Sequence, residues 1–411
     1  MGRLMADVAP LRESPQFRLM YLGMAVAEMG RQMTVVALPV QVFFLTGSSL
    51  MVGLVSLVQI VPLVLGSLIG GTIADVVDRR RVLMVVQLAL ALCGVALALN
   101  ATRDSPLLWP LFLAAAVSAA FSGADSPTRK ATVPRLVRRE QLTSAFALLQ
   151  VLRQTANAVA PAVAGLVLAR FGADTAFWLA AATFLGAFFV MTQMAPLPPS
   201  PEARRPGFAA LGEGVSYLRS RPLLATNFAV DLDAMVLAAP KALFPEIGTV
   251  LLGGNAATVG YLYAAPGFGA LLGALTSGWV SHVQRQGRAV VLAVGVWGAA
   301  MVVLGTSRNL ALALLALAVA GAADVVSSVF RSTILQLAVP DQLRGRLSAI
   351  HTSVVAGGPR LGDAQAGAVA AAVGAPLAVT LGGLACIGGL GVIVAKVPKY
   401  WQLVVTGEDL E

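Results

Sequence analysis

The chain is poor in the residues on which most soluble chemistry depends. Its 411 residues include two histidines and two cysteines, and only 12% of them are charged. A soluble domain of this length would carry about twice that share of charge. Cys93 and Cys386 both fall inside long apolar runs, which leaves no disulfide framework and no metal-ligand spacing. With only His282 and His351 there can be no His-Glu-x-x-His zinc helix, and neither a Gly-x-Ser-x-Gly turn nor a phosphate loop occurs. The residues therefore point away from an enzyme and imply no cofactor and no metal.

Apolar sequence is what the chain has in quantity, at 57% hydrophobic. Runs of 18 or more apolar residues recur, each long enough to cross about 30 Å of hydrocarbon. In lipid only helices or closed barrels satisfy their own backbone, and long continuous runs favour helices over alternating barrel strands. About twelve spans are predicted, from residues 17–45 to 376–397, which gives an all-α integral membrane protein. The first run follows a polar segment and is long enough to be a true span, so no cleavable leader is expected.

The net charge of +9 would suit nucleic acid if it formed one patch, but it does not. With the N-terminus placed in the cytoplasm, most of the 29 basic residues collect on the inner face, and the outer loops hold only Arg103, Arg170 and Arg308. This asymmetry predicts cytoplasmic termini and contact with anionic lipid rather than a polymer partner.

Residues 1–196 and 223–411 each supply six spans. Between them, 197–222 reads as a cytoplasmic linker, rich in proline and with an amphipathic stretch at 208–218. The halves repeat each other. Val52-Gly53 through Gly71-Thr72-Ile73-Ala74-Asp75 aligns without a gap on Val259-Gly260 through Gly278-Trp279-Val280-Ser281-His282, and Thr128-Arg129 on Phe330-Arg331. Gly66 and Gly70, Gly269 and Gly273, and Gly358 and Gly362 each place two small residues on one helix face, where close helix contacts are expected.

Ionisable residues inside spans are costly and need a reason. Glu28 and Arg31 lie one helical turn apart, either as a structural pair or with Glu28 facing a central cavity beside Gln32. Asp231 and Asp233 open the seventh span, with Asp233 close to the repeat equivalent of Glu28, so either is a candidate for transport. Arg153 is placed to neutralise an anionic substrate, and His351 is the histidine better placed to titrate near neutral pH. Asp125 with Arg129, and Asp324 with Arg331, suit a cytoplasmic gate that draws on Asp75 or Asp78. Lys241 and Glu246 read as an interfacial pair.

The segment Gly71-Thr72-Ile73-Ala74-Asp75-Val76-Val77-Asp78-Arg79-Arg80-Arg81 closely resembles the loop after the second helix of the major facilitator superfamily. Its Asp75, Asp78 and Arg79 to Arg81 would latch that cytoplasmic end. Gln16-Phe17-Arg18, Ala37-Leu38-Pro39-Val40-Gln41, residues 259–278 and Leu343-Arg344-Gly345-Arg346-Leu347 are similar to the bacterial enterobactin exporter group within it. Ala160-Pro161-Ala162-Val163-Ala164-Gly165 is a weakened form of a drug/proton antiporter motif, with alanines at both expected flanking glycines. The resemblance implies two pseudosymmetric six-helix bundles in a bacterial inner membrane. It also implies small-molecule export by alternating access in exchange for protons, by a monomer. A broad multidrug pump, with Met24, Met29, Met33, Phe43, Phe44 and Met235 forming an adaptable pocket, is the alternative.

Overall fold

The computed structural model describes residues 7–198, 216–218, 220–276, 278, 282–338 and 341–404. The predicted amphipathic stretch at 208–218 falls outside these except for 216–218, and so does the Asp75 side chain. Helices account for nearly all of it, and among the described residues there is no β-strand. After a short α1 (Ala9–Glu13), the helices are α2 (Pro15–Thr46), α3 (Ser49–Val58), α4 (Ile60–Val76), α5 (Arg79–Ala101), α6 (Trp109–Leu136) and α7 (Leu142–Thr192). Then come α8 (Pro222–Leu237), α9 (Ala256–Leu275), α10 (Gln286–Thr306), α11 (Leu310–Ala338), α12 (Asp341–Val373), α13 (Ala375–Lys396) and α14 (Pro398–Trp401).

These helices make twelve spans. α3 and α4 together form the second, and α7 supplies both the fifth and the sixth. The turn between those two lies at Gly172, with φ 88° and ψ 174°, a conformation that side chains disfavour. Among the described residues, eight stretches are long and apolar enough to cross a membrane by length and composition alone. The helices α2, α6 and α12 fall outside that set, and they carry Glu28, Arg31, Asp125, Arg129, Arg360 and Asp363.

Local chemistry sets the helix ends. The Ser14 hydroxyl caps α2 by accepting from Phe17 N at 3.1 Å, and Gly47 ends it in the left-handed region at φ 60°. Asp78 caps α5, accepting from Arg80 N at 2.9 Å and from Leu197 N at 3.0 Å. Asn100 joins α5 to the next loop, donating to Leu107 O at 2.9 Å and accepting from Leu107 N at 3.0 Å.

The chain divides into two compact units, one of residues 1–47 and 58–205, the other of 48–57 and 206–411. In the first, Phe17, Met20, Leu83, Val133, Leu148 and Met191 form one buried cluster. α4 packs on α6 through glycine: a Cβ added to Gly66 would stand 2.9 Å from Ala120 Cα. The second unit repeats this contact between α9 and α11, where a Cβ on Gly273 would stand 3.1 Å from Ala322 Cα. Gly66 and Gly273 are repeat partners, and the expected close helix contacts are present in both units. The third glycine pair also packs closely. A Cβ on Gly358 would meet Met235 Sδ at 3.1 Å, and one on Gly362 would meet Ala239 Cβ at 2.9 Å.

Residues 48–57 group with the second unit through two serines. Ser49 Oγ hydrogen-bonds the Glu246 carboxylate, and Ser56 Oγ donates to Asp363 Oδ2 at 3.0 Å. Glu246 also accepts from Ala375 N at 3.3 Å. No ion pair joins Lys241 to Glu246 among the described residues, so the expected interfacial pair is replaced by carboxylates that hold α3 and the start of α13.

Candidate functional site

Each unit holds its own cavity, and each cavity is walled by embedded charge. In the first unit a space of about 280 Å³ is lined by Met24, Glu28, Arg31, Asp125, Arg129 and Lys130, with Phe146, Gln150 and Arg153 from α7. Asp125 organises the charges. Its Oδ2 lies 2.6 Å from Arg129 Nε, one turn along α6, and 3.2 Å from Arg31 Nη2 on α2. Arg31 Nε reaches Glu28 at 3.2 Å. Gln32 donates to Glu28 Oε1 at 3.1 Å and also bonds Asn157. Arg153 donates to Gln150. Glu28 pairs with Arg31 and lines this first-unit cavity. Asn157, a partner that the sequence reading missed, is a neutral amide with no patterning signal to mark it.

In the second unit the cavity is smaller, about 130 Å³, and more apolar. Met235, Phe244, Trp297 and Met301 line it beside Asp231, Lys241, Asp324 and Arg331. Trp297 Nε1 donates to Ala238 O at 2.9 Å. Arg331 forms a buried ion pair with Asp231 and lies 3.8 Å from the half-exposed Asp324. His351 Nε2 stands 3.9 Å from Asp231 Oδ2, and its ring meets Phe228 edge-on at 5.9 Å. Asn227 donates to Arg331 O at 3.3 Å and accepts from Tyr400 Oη at 3.0 Å. Burial pushes the Tyr400 phenol above its usual range.

Asp231 and Asp233, equivalent candidates in sequence, separate here. Asp231 faces the cavity and Arg331. Asp233 lies against α13, where a Cβ on Gly389 would stand 3.1 Å from its carboxyl carbon.

The candidate gate residues keep the expected pairing of Arg129 with Asp125, and Arg331 adds Asp231 to Asp324. Asp78 is committed to two backbone N–H groups, Arg80 N at the start of α5 and Leu197 N beyond the end of α7, and meets no arginine side chain among the described residues. Arg79 is buried and donates to Ala74 O at 3.2 Å and to Ala131 O at 2.9 Å. Arg80 donates to Met191 O at 3.2 Å and to Thr192 O. These guanidinium groups satisfy carbonyls at the ends of neighbouring helices within the first unit. Around Gly71 a Cβ would meet nothing within 4 Å, so no close approach demands glycine there. The methionines and phenylalanines expected in a pocket are divided: Met24 and Met235 line cavities, Met33 and Phe43 are buried, and Met29 and Phe44 are exposed.

Comparison with known proteins agrees with this architecture. Residues 5–405 match a family described as transmembrane secretion effector. The chain is 29% identical over 368 residues to the enterobactin exporter EntS of Shigella boydii serotype 18 and to that of Escherichia coli O81, covering 89% of this chain and 88% of each relative. Among solved structures it is similar to a peptide transporter POT, with a TM-score of 0.76, 12% identity and 95% and 96% of the two chains covered. A bacterial homolog of the human lysosomal transporter Spinster, inward-facing and unoccupied, matches with a TM-score of 0.69, 15% identity and 94% and 95% covered. The protein is a multi-pass membrane transporter that belongs to the transmembrane secretion effector family of the major facilitator superfamily.

Proposed function

We propose that this protein exports a siderophore, or a similar amphipathic small molecule, from the cytoplasm by alternating access in exchange for protons. The observation that carries this reading is the likeness to enterobactin exporters along nearly the whole of both chains. The ion networks give it a physical basis. Embedded carboxylates persist in a membrane only where they are paired or functional, and Glu28 and Asp231 each line a cavity within reach of a partner cation. We assign the exchanged proton to these two carboxylates, which would bind it when arginine contacts loosen and release it when they reform. The halves 1–196 and 223–411 would work as one monomer around the linker 197–222. The protein would sit in a bacterial inner membrane with both termini in the cytoplasm. Purified protein in liposomes with an imposed pH gradient, offered a catecholate siderophore and an unrelated cationic drug, tests the reading. Gradient-dependent movement of the siderophore alone supports it; indifference to the gradient, or no siderophore movement, overturns it.

One feature favours a second reading. Met235, Phe244, Trp297 and Met301 in the second cavity form an apolar, adaptable wall of the kind that suits many ligands. Movement of both compounds in the same assay would select a broad-specificity pump.

A further inference from the structure

The two cavities differ in charge. That of the second unit is balanced, with Lys241 and Arg331 against Asp231 and Asp324. That of the first unit is not: among the described residues, Arg31, Arg129, Lys130 and Arg153 face Glu28 and Asp125, a formal excess of two positive charges around about 280 Å³. Its hydrogen bonding is also incomplete. Arg129 is buried, yet its Nη2 has no hydrogen-bond partner, and Asp125, its one acidic neighbour among the described residues, is shared with Arg31. Arg153 is held only by the neutral amide of Gln150 among the described residues. A buried guanidinium that is only partly compensated, as at Arg129, is a poor resting arrangement and a good receptor, because its planar fork matches a planar oxyanion, and the exposed Arg153 adds a second, solvent-accessible fork beside it. Met24, Phe146, Leu149 and Leu152 supply the apolar surface that an aromatic ring would need.

We propose that the first-unit cavity is a subsite for a soluble planar oxyanion, a carboxylate or deprotonated catechol on an aromatic ring, with Arg129 and Arg153 supplying its positive charge. The inference rests on the export reading in taking the cavity as a cargo site, and it adds the charge of the cargo group that enters there. Lys130 and Arg31 set the surrounding field. Arg153 is the selective element, because Arg31 and Arg129 are already engaged with carboxylates.

The test is equilibrium binding to the purified full-length protein in an uncharged detergent, using salicylate and its neutral isostere salicylamide. Salicylate should bind roughly tenfold or more tightly than salicylamide, the scale of one charge-assisted contact, and should weaken with added salt. Arg153→Gln should remove most of that preference, and Arg153→Lys should restore part of it. Thermal unfolding of each variant excludes misfolding as the cause. Equal affinity for the two compounds, binding of neither, or a preference untouched by Arg153→Gln overturns the proposal. Saturation by phosphatidylglycerol with no response to salicylate assigns the cavity to lipid and overturns it as well. The liposome assay separates this from the export reading. Siderophore movement without anion preference removes only the subsite, whereas anion preference without siderophore movement removes only the cargo assignment.

Discussion

Arg129 and Arg31 meet on one oxygen of Asp125, at 2.6 and 3.2 Å, from two different helices. A carboxylate shared in this way ties α2 to α6 and lets either arginine leave without stranding the acid.

Asp125→Asn should therefore cost more than the loss of either arginine. Removing one partner of a buried ion pair typically costs about 3–5 kcal/mol, and here Arg129 loses its acidic partner and Arg31 keeps only Glu28. Thermal unfolding should show the largest drop for Asp125→Asn. The double variant Asp125→Asn with Arg31→Gln should fall short of the sum of the singles, since both remove one interaction. Additive losses would show that the two residues act apart.

Asp231→Asn and Asp233→Asn should separate cleanly in transport. Asp231 faces the cavity and Arg331, so its neutralisation should lower pH-gradient-driven efflux by about tenfold or more, equivalent to losing a 1.4 kcal/mol interaction. Asp233 packs on α13 beside Gly389, so its amide should leave gradient coupling close to the parent. The reverse ranking, measured in proteoliposomes, would move the coupling site to Asp233.

Glycine substitutions should track backbone approach rather than motif membership. Gly66→Val and Gly273→Val would push side chains into Ala120 and Ala322 and should each destabilise by about 1–3 kcal/mol through overpacking. Gly71→Ala meets open space on a helix and should be neutral or stabilising by up to about 1 kcal/mol, from helix propensity. Melting temperatures of the three variants, compared in one detergent, check this.

Tyr400→Phe removes the hydroxyl that donates to Asn227 and should cost about 1 kcal/mol. Its pH dependence has a defined sign. The folded phenol is held above its usual pKa, so the folded state favours the protonated form. The parent should then lose stability as pH rises past about 10, where the unfolded phenol ionises. The difference between parent and Tyr400→Phe should shrink or reverse in that range, as followed by chemical denaturation between neutral pH and strong alkali.

Composition and periodicity made the spans legible, and alignment of the two halves made Gly66 and Gly273 legible as equivalent contacts. The ionisable residues were legible as a set, because charge inside an apolar run stands out. Their partners were not. Spacing along a helix foretells Glu28 with Arg31, but nothing in the sequence says that Asp125 will reach across to α2 or that Asp231 rather than Asp233 will meet Arg331. Asp78 shows the same limit: an acid before a run of arginines reads as an ion pair, yet it caps the helix start at Arg80 N and accepts from the distant Leu197 N, which no local pattern foretells. Asn157 and Asn227 left no trace at all, since a lone amide in an apolar run looks the same whether it serves a network or merely fits.

The bond from Tyr400 to Asn227 spans 173 residues, and it fixes an order of events during synthesis. Asn227 enters the membrane early in the second unit, and Arg331, whose carbonyl it supports, follows well before Tyr400 exists. Until α14 arrives, Asn227 lacks its donor and the layer beneath the Arg331–Asp231 pair is unfinished. Contacts so distant in sequence form late, so the hydrogen bonding around Asn227 is complete only once α14 has docked.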